Sequence, residues 1–235
     1  MAKKLEGRIA LITGASRGIG AEIAKLYASE GAHVILLARS KDGLEAVDDA
    51  IRAAGGQATL MPFDISKLDE LEALGPTISE RFGKLDIWVA NAGLLRELTP
   101  ISHSKMKDWH DIMAVNLLSN VQMIRTLEPL LKASDAGRAI FVGSYLGENP
   151  TAYFGAYGAS KAAVMHLAQT WAAETKHTPL RVNVIEPGAV DTEMLKVAFP
   201  GGYHAPDLRS PAQVAPLFLE LALPSSQFHG EICRL

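Results

Sequence analysis

A glycine-rich segment near the start of the chain is the first place where residue types and spacing suggest chemistry. Thr13-Gly14-Ala15-Ser16-Arg17-Gly18-Ile19-Gly20 follows a short apolar run and precedes a stretch with helical spacing. Glycines permit a tight turn and a close approach of backbone to a pyrophosphate. The helix that follows turns free N–H groups and the positive end of its dipole toward the phosphates. The spacing is G-x-x-x-G-x-G, not the general G-x-G-x-x-G, and the Gly-Lys-Ser/Thr ending of a triphosphate-hydrolysing loop is missing. A glycine-rich turn without a ligand is the plainer alternative. The second apolar run ends in Ala38-Arg39-Ser40. An NAD site usually has a carboxylate there for the ribose 2′-hydroxyl. Arg39, with Arg17 from the glycine segment, would instead pair with a 2′-phosphate through charge-assisted bonds. The expected cofactor is therefore NADP(H), unless both arginines are solvated surface charges.

Tyr157 and Lys161 lie four residues apart at the start of another helical stretch, so both project from one face. That spacing alone is weak evidence, because an ordinary helix face carries it too. Its company matters more. Ser144 ends the fifth apolar run, and Asn91-Ala92-Gly93 follows the fourth. Both belong to the carboxyl edge, where open α/β sheets bind ligands. Asn116, in Val115-Asn116-Leu117, interrupts an otherwise apolar helical stretch. A buried amide needs a partner or a water, and a satisfied core polar residue is the alternative reading.

The elements that must position these residues follow from periodicity. Near-continuous apolar runs at 9–12, 33–38, 58–61, 85–90, 139–143 and 181–185 suit strands buried on both faces. Between them, 18–29, 43–54, 67–82, 107–132 and 156–177 have helical spacing, and a last strand is expected near 230–234. A repeated strand–helix order implies a parallel sheet covered by helices on both faces. Residues 198–210, rich in Pro and Gly, form the one long irregular stretch, which suits a binding loop or a plain surface connection.

Taken together, Thr13–Gly20, Asn91-Ala92-Gly93, Asn116, Ser144, Tyr157-x-x-x-Lys161 and Pro187-Gly188 resemble the short-chain dehydrogenase/reductase family in order and spacing, over residues 5 to 195. Within it the chain is similar to the NADP-linked carbonyl reductases, including 3-oxoacyl-carrier-protein reductases. The resemblance implies one Rossmann-like α/β domain over 1–235, with a doubly wound parallel sheet of about seven strands and residues 192–210 as a substrate loop. It implies a hydride transfer between NADP(H) and a carbonyl or alcohol compound. Tyr157 would be the general acid–base and Lys161 would stabilise its phenolate and bind the nicotinamide ribose. Ser144 would hold the substrate oxygen, and Asn116 would anchor a water on a proton path. Cofactor contacts are implied for Gly14, Ser16, Arg17, Gly18, Ile19, Gly20, Arg39, Asn91, Ala92, Gly93, Tyr157 and Lys161. Asp64 and Ile65 would meet the adenine edge, although Asp64 also reads as a cap on the next helix. Pro187, Gly188, Val190 and Thr192 would close over the nicotinamide. The chain departs from the family in having Gly143 before Ser144, a short C-terminal segment without a glycine-rich ending, and no substrate-specific pattern in 195–209.

Composition narrows the remaining classes. A net charge of −3 with no strongly basic half gives no footprint for nucleic acid. Cys233 is the single cysteine, which fits a reducing cytoplasm. No run approaches the ~18 apolar residues of a membrane span. The seven histidines form no metal-binding motif. A small-molecule partner and a homo-oligomer, dimer or tetramer, are expected. The competing expectations are a non-catalytic NADP(H)-binding sensor or scaffold on the same fold, and an isomerase or dehydratase that recycles its cofactor.

Overall fold

The computed structural model describes residues 3–204 and 206–235; Met1, Ala2 and Ala205, the last within the irregular stretch 198–210, lie outside the described residues. The first half alternates β1 (Ile9–Thr13), α1 (Gly18–Ser29), β2 (His33–Ala38), α2 (Lys41–Ala53), β3 (Gln57–Pro62), α3 (Leu74–Phe82) and β4 (Ile87–Ala90). The second half contains α4 (Met106–Met113), α5 (Ser119–Ala133), β5 (Arg138–Val142), α6 (Gly155–Thr175), β6 (Arg181–Glu186), α7 (Glu193–Ala198), α8 (Pro211–Ala222) and β7 (Ile232–Arg234). The seven strands form one parallel sheet in the order β3-β2-β1-β4-β5-β6-β7. The strand order reverses between β1 and β4, which opens a crevice at their carboxyl ends.

The continuous apolar runs have a simple reason: alternate residues face opposite layers. Ile12, Leu36, Val89 and Ile140 pack under α1, α2 and α8, where Ile23, Leu44 and Phe218 meet them. Leu11, Ile35, Trp88 and Phe141 pack on the other side against α3, α5 and α6, through Ile78, Leu127 and Trp171. Trp88, Phe141 and Trp171 form a compact aromatic group with ring centres 5.1–6.1 Å apart.

Two expected helices are interrupted. Residues 68–73 form a 3₁₀ turn before α3 begins at Leu74. Pro76 has no N–H to continue a helix from that turn, but is tolerated in the first turn of a new one. Thr126 of α5 fills the junction: its hydroxyl accepts from the Gly75 N–H at 3.0 Å and donates to the Glu72 carbonyl at 3.1 Å. The stretch 107–132 divides into α4, a wide π turn over 114–118, and α5. Asn116 sits inside the wide turn. The irregular stretch lies where expected, between α7 and α8. Ser210 and Gln213 start α8 with a reciprocal capping box.

Candidate active site

β1 ends at Thr13, whose hydroxyl ties the two strands at the crevice. It donates to the Val89 carbonyl at 3.2 Å and accepts from the N–H groups of Asn91 and Ala92, each at 3.0 Å. The Asn91 side chain donates to the Thr13 and Gly14 carbonyls at 2.9 and 3.3 Å. Gly14 then turns with φ +68°, and a Cβ there would lie 2.9 Å from the Asn91 amide nitrogen. At Gly20 a Cβ would lie 2.4 Å from the Gly14 carbonyl oxygen, so α1 approaches the turn as closely as glycine alone permits. No side chain caps α1 and no acidic residue stands in its first turn. The N–H groups at Gly18, Ile19 and Gly20, with Ser16 and exposed Arg17 before them, are left for an outside anion. The glycine cradle therefore fits a pyrophosphate.

Arg39 is exposed just past β2 and Asp64 stands just past β3, the neighbouring strand. Burial would raise the Asp64 pKa, but hydrogen bonds from Ser66 and the positive charges of Arg39 and Lys67 bring it below the usual carboxylate value. One Asp64 oxygen accepts from the Ser66 N–H and hydroxyl at 3.0 and 2.8 Å, which closes a local turn around the buried Ile65 and does not cap the 3₁₀ turn over 68–73, whose start at Lys67 has no side-chain cap. The guanidinium of Arg39 thus stands at the sheet edge beside a carboxylate that is already committed to its own turn.

On the other side of the crevice, Pro187 is buried and Gly188 turns with φ +68°. Val190 bridges Arg209 as a single parallel pair, held by Asp191 N–H to Arg209 carbonyl at 2.8 Å and Arg209 N–H to Ala189 carbonyl at 3.0 Å. That bridge closes the base of residues 192–210. Thr192 caps α7, accepting from the Leu195 N–H at 3.3 Å. Its methyl lies 3.4 Å from the position a Cβ would take on Gly18, and the Met194 methyl lies 3.6 Å from that on Gly93. The glycine segment, Asn91–Gly93 and the start of α7 therefore surround one space.

Tyr157 and Lys161 stand in the first turns of α6, beside the end of β5. Lys161 is buried, with its ammonium 5.7 Å from the centre of the Tyr157 ring, and donates to the Val142 carbonyl at 2.8 Å. Burial pulls its pKa down to about 8. Burial pushes the partly exposed Tyr157 up to about 12, opposed by a hydrogen bond with the Ser144 side chain. Both shifts disfavour the charged form. Ser144 stands just beyond β5, accepting from the Leu146 N–H at 3.3 Å. A side chain at Gly143 would come within 2.8 Å of the Val184 methyl and 3.1 Å of the Met165 sulfur, which accounts for glycine at that departure from the family pattern.

The Asn116 amide is bonded within the protein. Its oxygen accepts from the Leu94 N–H at 2.7 Å, and its nitrogen donates to the Leu94 carbonyl at 3.0 Å and the Ser160 hydroxyl at 2.9 Å. Ser160 donates in turn to the Tyr157 carbonyl at 2.7 Å. The wide turn thereby pins α6, at the residue before Lys161, to the segment after β4. Sequence reasoning missed Thr13 and Ser160 as the joints of the site. Both stand inside the motifs it used, but their partners are far away in sequence. Trp109 and Phe154 line a cleft beside Tyr157. Tyr203 is half-buried, whereas His204 is exposed. Among the described residues no group of His, Cys, Asp and Glu is placed to hold a metal, and no helix is long and apolar enough to cross a membrane.

Comparison with known proteins agrees with this geometry. The sequence profile of the short chain dehydrogenase family matches residues 8–201. The chain is 36% identical to the 3-oxoacyl-[acyl-carrier-protein] reductase FabG of Vibrio cholerae serotype O1 over 192 residues, 82% of this chain and 77% of that protein. It is 38% identical to the benzil reductase ((S)-benzoin forming) IRC24 of Saccharomyces cerevisiae over 197 residues, 81% of this chain and 74% of that protein. A crystal structure of a short chain dehydrogenase from Shigella flexneri 2a, complexed with NADP, is 36% identical and superposes with a TM-score of 0.94, covering 100% of this chain and 99% of that one. The chain belongs to the short chain dehydrogenase family of oxidoreductases.

Proposed function

We propose that this protein transfers a hydride between NADP(H) and a carbonyl or secondary alcohol compound, with Tyr157 as general acid–base. The observation that carries the proposal is the pair Tyr157 and Lys161, both held against ionisation beside a glycine cradle open to phosphates. An acid and a base displaced in this way are characteristic of sites that move protons. The nicotinamide supplies the hydride, and its oxidised ring a positive charge. In ketone reduction the hydride forms the new C–H bond, the carbonyl π pair moves to oxygen, and Tyr157 gives that oxygen its proton. Ser144 holds the oxygen against the phenol. Lys161 stabilises the phenolate while its proton is replaced. Asn116 keeps α6 in place through Ser160 and, by the resemblance, anchors a water on the proton path. The pyrophosphate would lie on Gly14–Gly20, with Arg17 and Arg39 on the 2′-phosphate. Asp64 and Ile65 would flank the adenine; Asn91–Gly93 and Pro187–Thr192 would flank the nicotinamide. The chain would act as one domain, with 192–210 on its substrate side, in a cytoplasmic homo-oligomer.

NADP(H) preference has support from the arginine at the end of β2, and the NADP-bound Shigella structure is consistent with it. Carbonyl chemistry has support from two relatives, a 3-oxoacyl-[acyl-carrier-protein] reductase and a benzil reductase, which differ in substrate but share a ketone. Binding titrations with NADPH and NADH, followed by NADPH oxidation against a ketone panel, test the reading. Tighter NADPH binding with ketone-dependent oxidation is the expected result. Arg39→Ala should weaken NADPH binding about tenfold or more, the loss of a charge-assisted bond, and alter NADH binding little. Binding without any turnover would favour a sensor or scaffold instead.

A further inference from the structure

The cleft beside Tyr157 has a composition that the hydride chemistry does not require. Phe154, three residues before Tyr157, stacks on Phe199 with ring centres 6.3 Å apart, and Phe199 on Tyr203 at 5.0 Å. Residues 199–203 therefore meet the catalytic helix through a row of aromatic rings. From the opposite side Trp109 reaches within 3.6 Å of the position a Cβ would take on Gly155, and its N–H is bonded to the Ser104 hydroxyl at 2.8 Å. It lines the same cleft with its one polar group satisfied.

A second, independent observation concerns Tyr153. It has φ +73°, the one non-glycine residue in the left-handed region among the described residues, yet the residue is 58% exposed and lines the cleft with Tyr157. A large side chain in that conformation is strained, and such strain concentrates at ligand clamps. Packing in the free protein does not account for holding an exposed ring there.

Charge points the same way. Among the described residues lining the cleft, Arg96 is the one cation. Asp111 binds it at 2.8 Å and Asp108 lies 3.9 Å away, while Glu97 and Asp108 also line the cleft. A phosphorylated carrier arm would meet carboxylates with no free cation to receive it.

We propose that the substrate is a free ketone bearing a flat aromatic group, held against Tyr153 and Trp109 in the cleft, with Phe154 backed by Phe199 and Tyr203, while its carbonyl rests on Tyr157 and Ser144. The proposal rests on the hydride-transfer reading above and adds its substrate class. Ring-on-ring contacts supply the selectivity.

The test is NADPH oxidation by the full chain with a diaryl 1,2-diketone, an aryl alkyl 1,2-diketone, a dialkyl 1,2-diketone, and a 3-oxoacyl thioester on its phosphorylated carrier. The expected order of kcat/KM is aryl over alkyl over carrier-bound, with aryl ahead by about tenfold or more. Tyr153→Gly should lower the aryl-to-alkyl ratio several-fold while leaving the melting temperature equal or higher, because the strain is relieved. Phe199→Ala, in a half-exposed position, should lower the same ratio. Turnover of the dialkyl diketone with no aryl preference, or a preference for the carrier thioester, would overturn the aryl clamp and leave hydride transfer standing. NADPH oxidation by no member would remove both.

Discussion

The two edges of the sheet hold buried ionisable groups in opposite ways. At the amino edge Asp86 has no exposed side-chain surface. One of its oxygens accepts from Ser134, Lys84 and Arg8 at 2.6, 3.0 and 3.1 Å, and the other from the Ile9 N–H at 2.9 Å. Burial would raise its pKa, yet the Ser134 hydroxyl, the Ile9 N–H and Lys84 hold it below the usual value. At the carboxyl edge Lys161 is as deeply placed but has one hydrogen-bond partner among the described residues, the Val142 carbonyl, and no opposing charge. Its pKa falls to about 8 while that of Tyr157 rises to about 12. A buried charge with every lone pair satisfied supports a fold. A pair held short of compensation is suited to a partner that arrives later.

The largest expected effects separate the two edges. Tyr157→Phe removes the proton donor without removing the ring. It should lower kcat/KM by about a thousandfold or more, the upper range for acid–base catalysis, with NADPH affinity within a few-fold and the melting temperature unchanged. Retained turnover in steady-state assays would refute the assignment of Tyr157. Asp86→Ala should do the reverse. It leaves Arg8 and Lys84 facing a buried gap and should cost about 3–5 kcal/mol in urea unfolding, with kcat per folded molecule unaltered. The sign of its pH dependence follows from the depressed pKa. The stabilisation is present above the unfolded carboxylate value and is lost as pH falls through the folded one. The deficit of the variant should therefore shrink below about pH 4. A deficit constant down to pH 2 would mean that Asp86 contributes by packing alone.

How much of this was legible in the sequence depends on how far each residue's partners lie along the chain. The strands were legible because sheets buried on both faces leave unbroken apolar runs, as in Val34–Leu37 and Ala139–Val142. The glycine segment, Arg39 and the Tyr157–Lys161 pair were legible because a few adjacent residues carry the whole signal. The break before α3 was less so: Pro76 announces it, but the Thr126 hydroxyl that fills it comes from a helix 50 residues on. The wide turn at Asn116 depends on Leu94 and Ser160, 22 and 44 residues away. The short α7 has no periodicity to read, whereas α8 carried a capping box at Ser210–Gln213 that could have found it. The aromatic cleft was the least legible. Trp109, Tyr153 and Phe154 have no motif, and only the folded chain brings them to one cleft, with Phe199 and Tyr203 packed behind Phe154.

A smaller effect should sharpen the comparison by shifting a titration. Lys161 carries its positive charge below about pH 8. If that charge supports proton donation by Tyr157, kcat/KM for ketone reduction should fall as pH rises through that region. Lys161→Arg keeps the charge at all accessible pH values. Its absolute rate should drop, since a wider head group must fit against Val142, but its alkaline limb should move upward by a pH unit or more. An unmoved limb in pH–rate profiles would assign that titration to another group.

The smallest expected effect lies where the two ways of holding a polar group meet. Ser160 is fully buried, as at the amino edge, but it stands beside Lys161 in the site. Ser160→Ala leaves the Asn116 nitrogen with the Leu94 carbonyl alone and frees one turn of α6 from the wide turn. Losing one neutral buried hydrogen bond should cost about 1 kcal/mol in unfolding. If Ser160 only stabilises the fold, kcat should stay constant once folded molecules are counted. If it positions the pair, kcat should fall several-fold with KM unchanged, and the alkaline limb should shift as Lys161 moves against Tyr157. Ser160→Thr, which keeps the hydroxyl, should restore the limb. The second outcome is expected, because the Ser160 hydroxyl also donates to the carbonyl of Tyr157 itself, so one bond network sets both the helix and the geometry of its phenol.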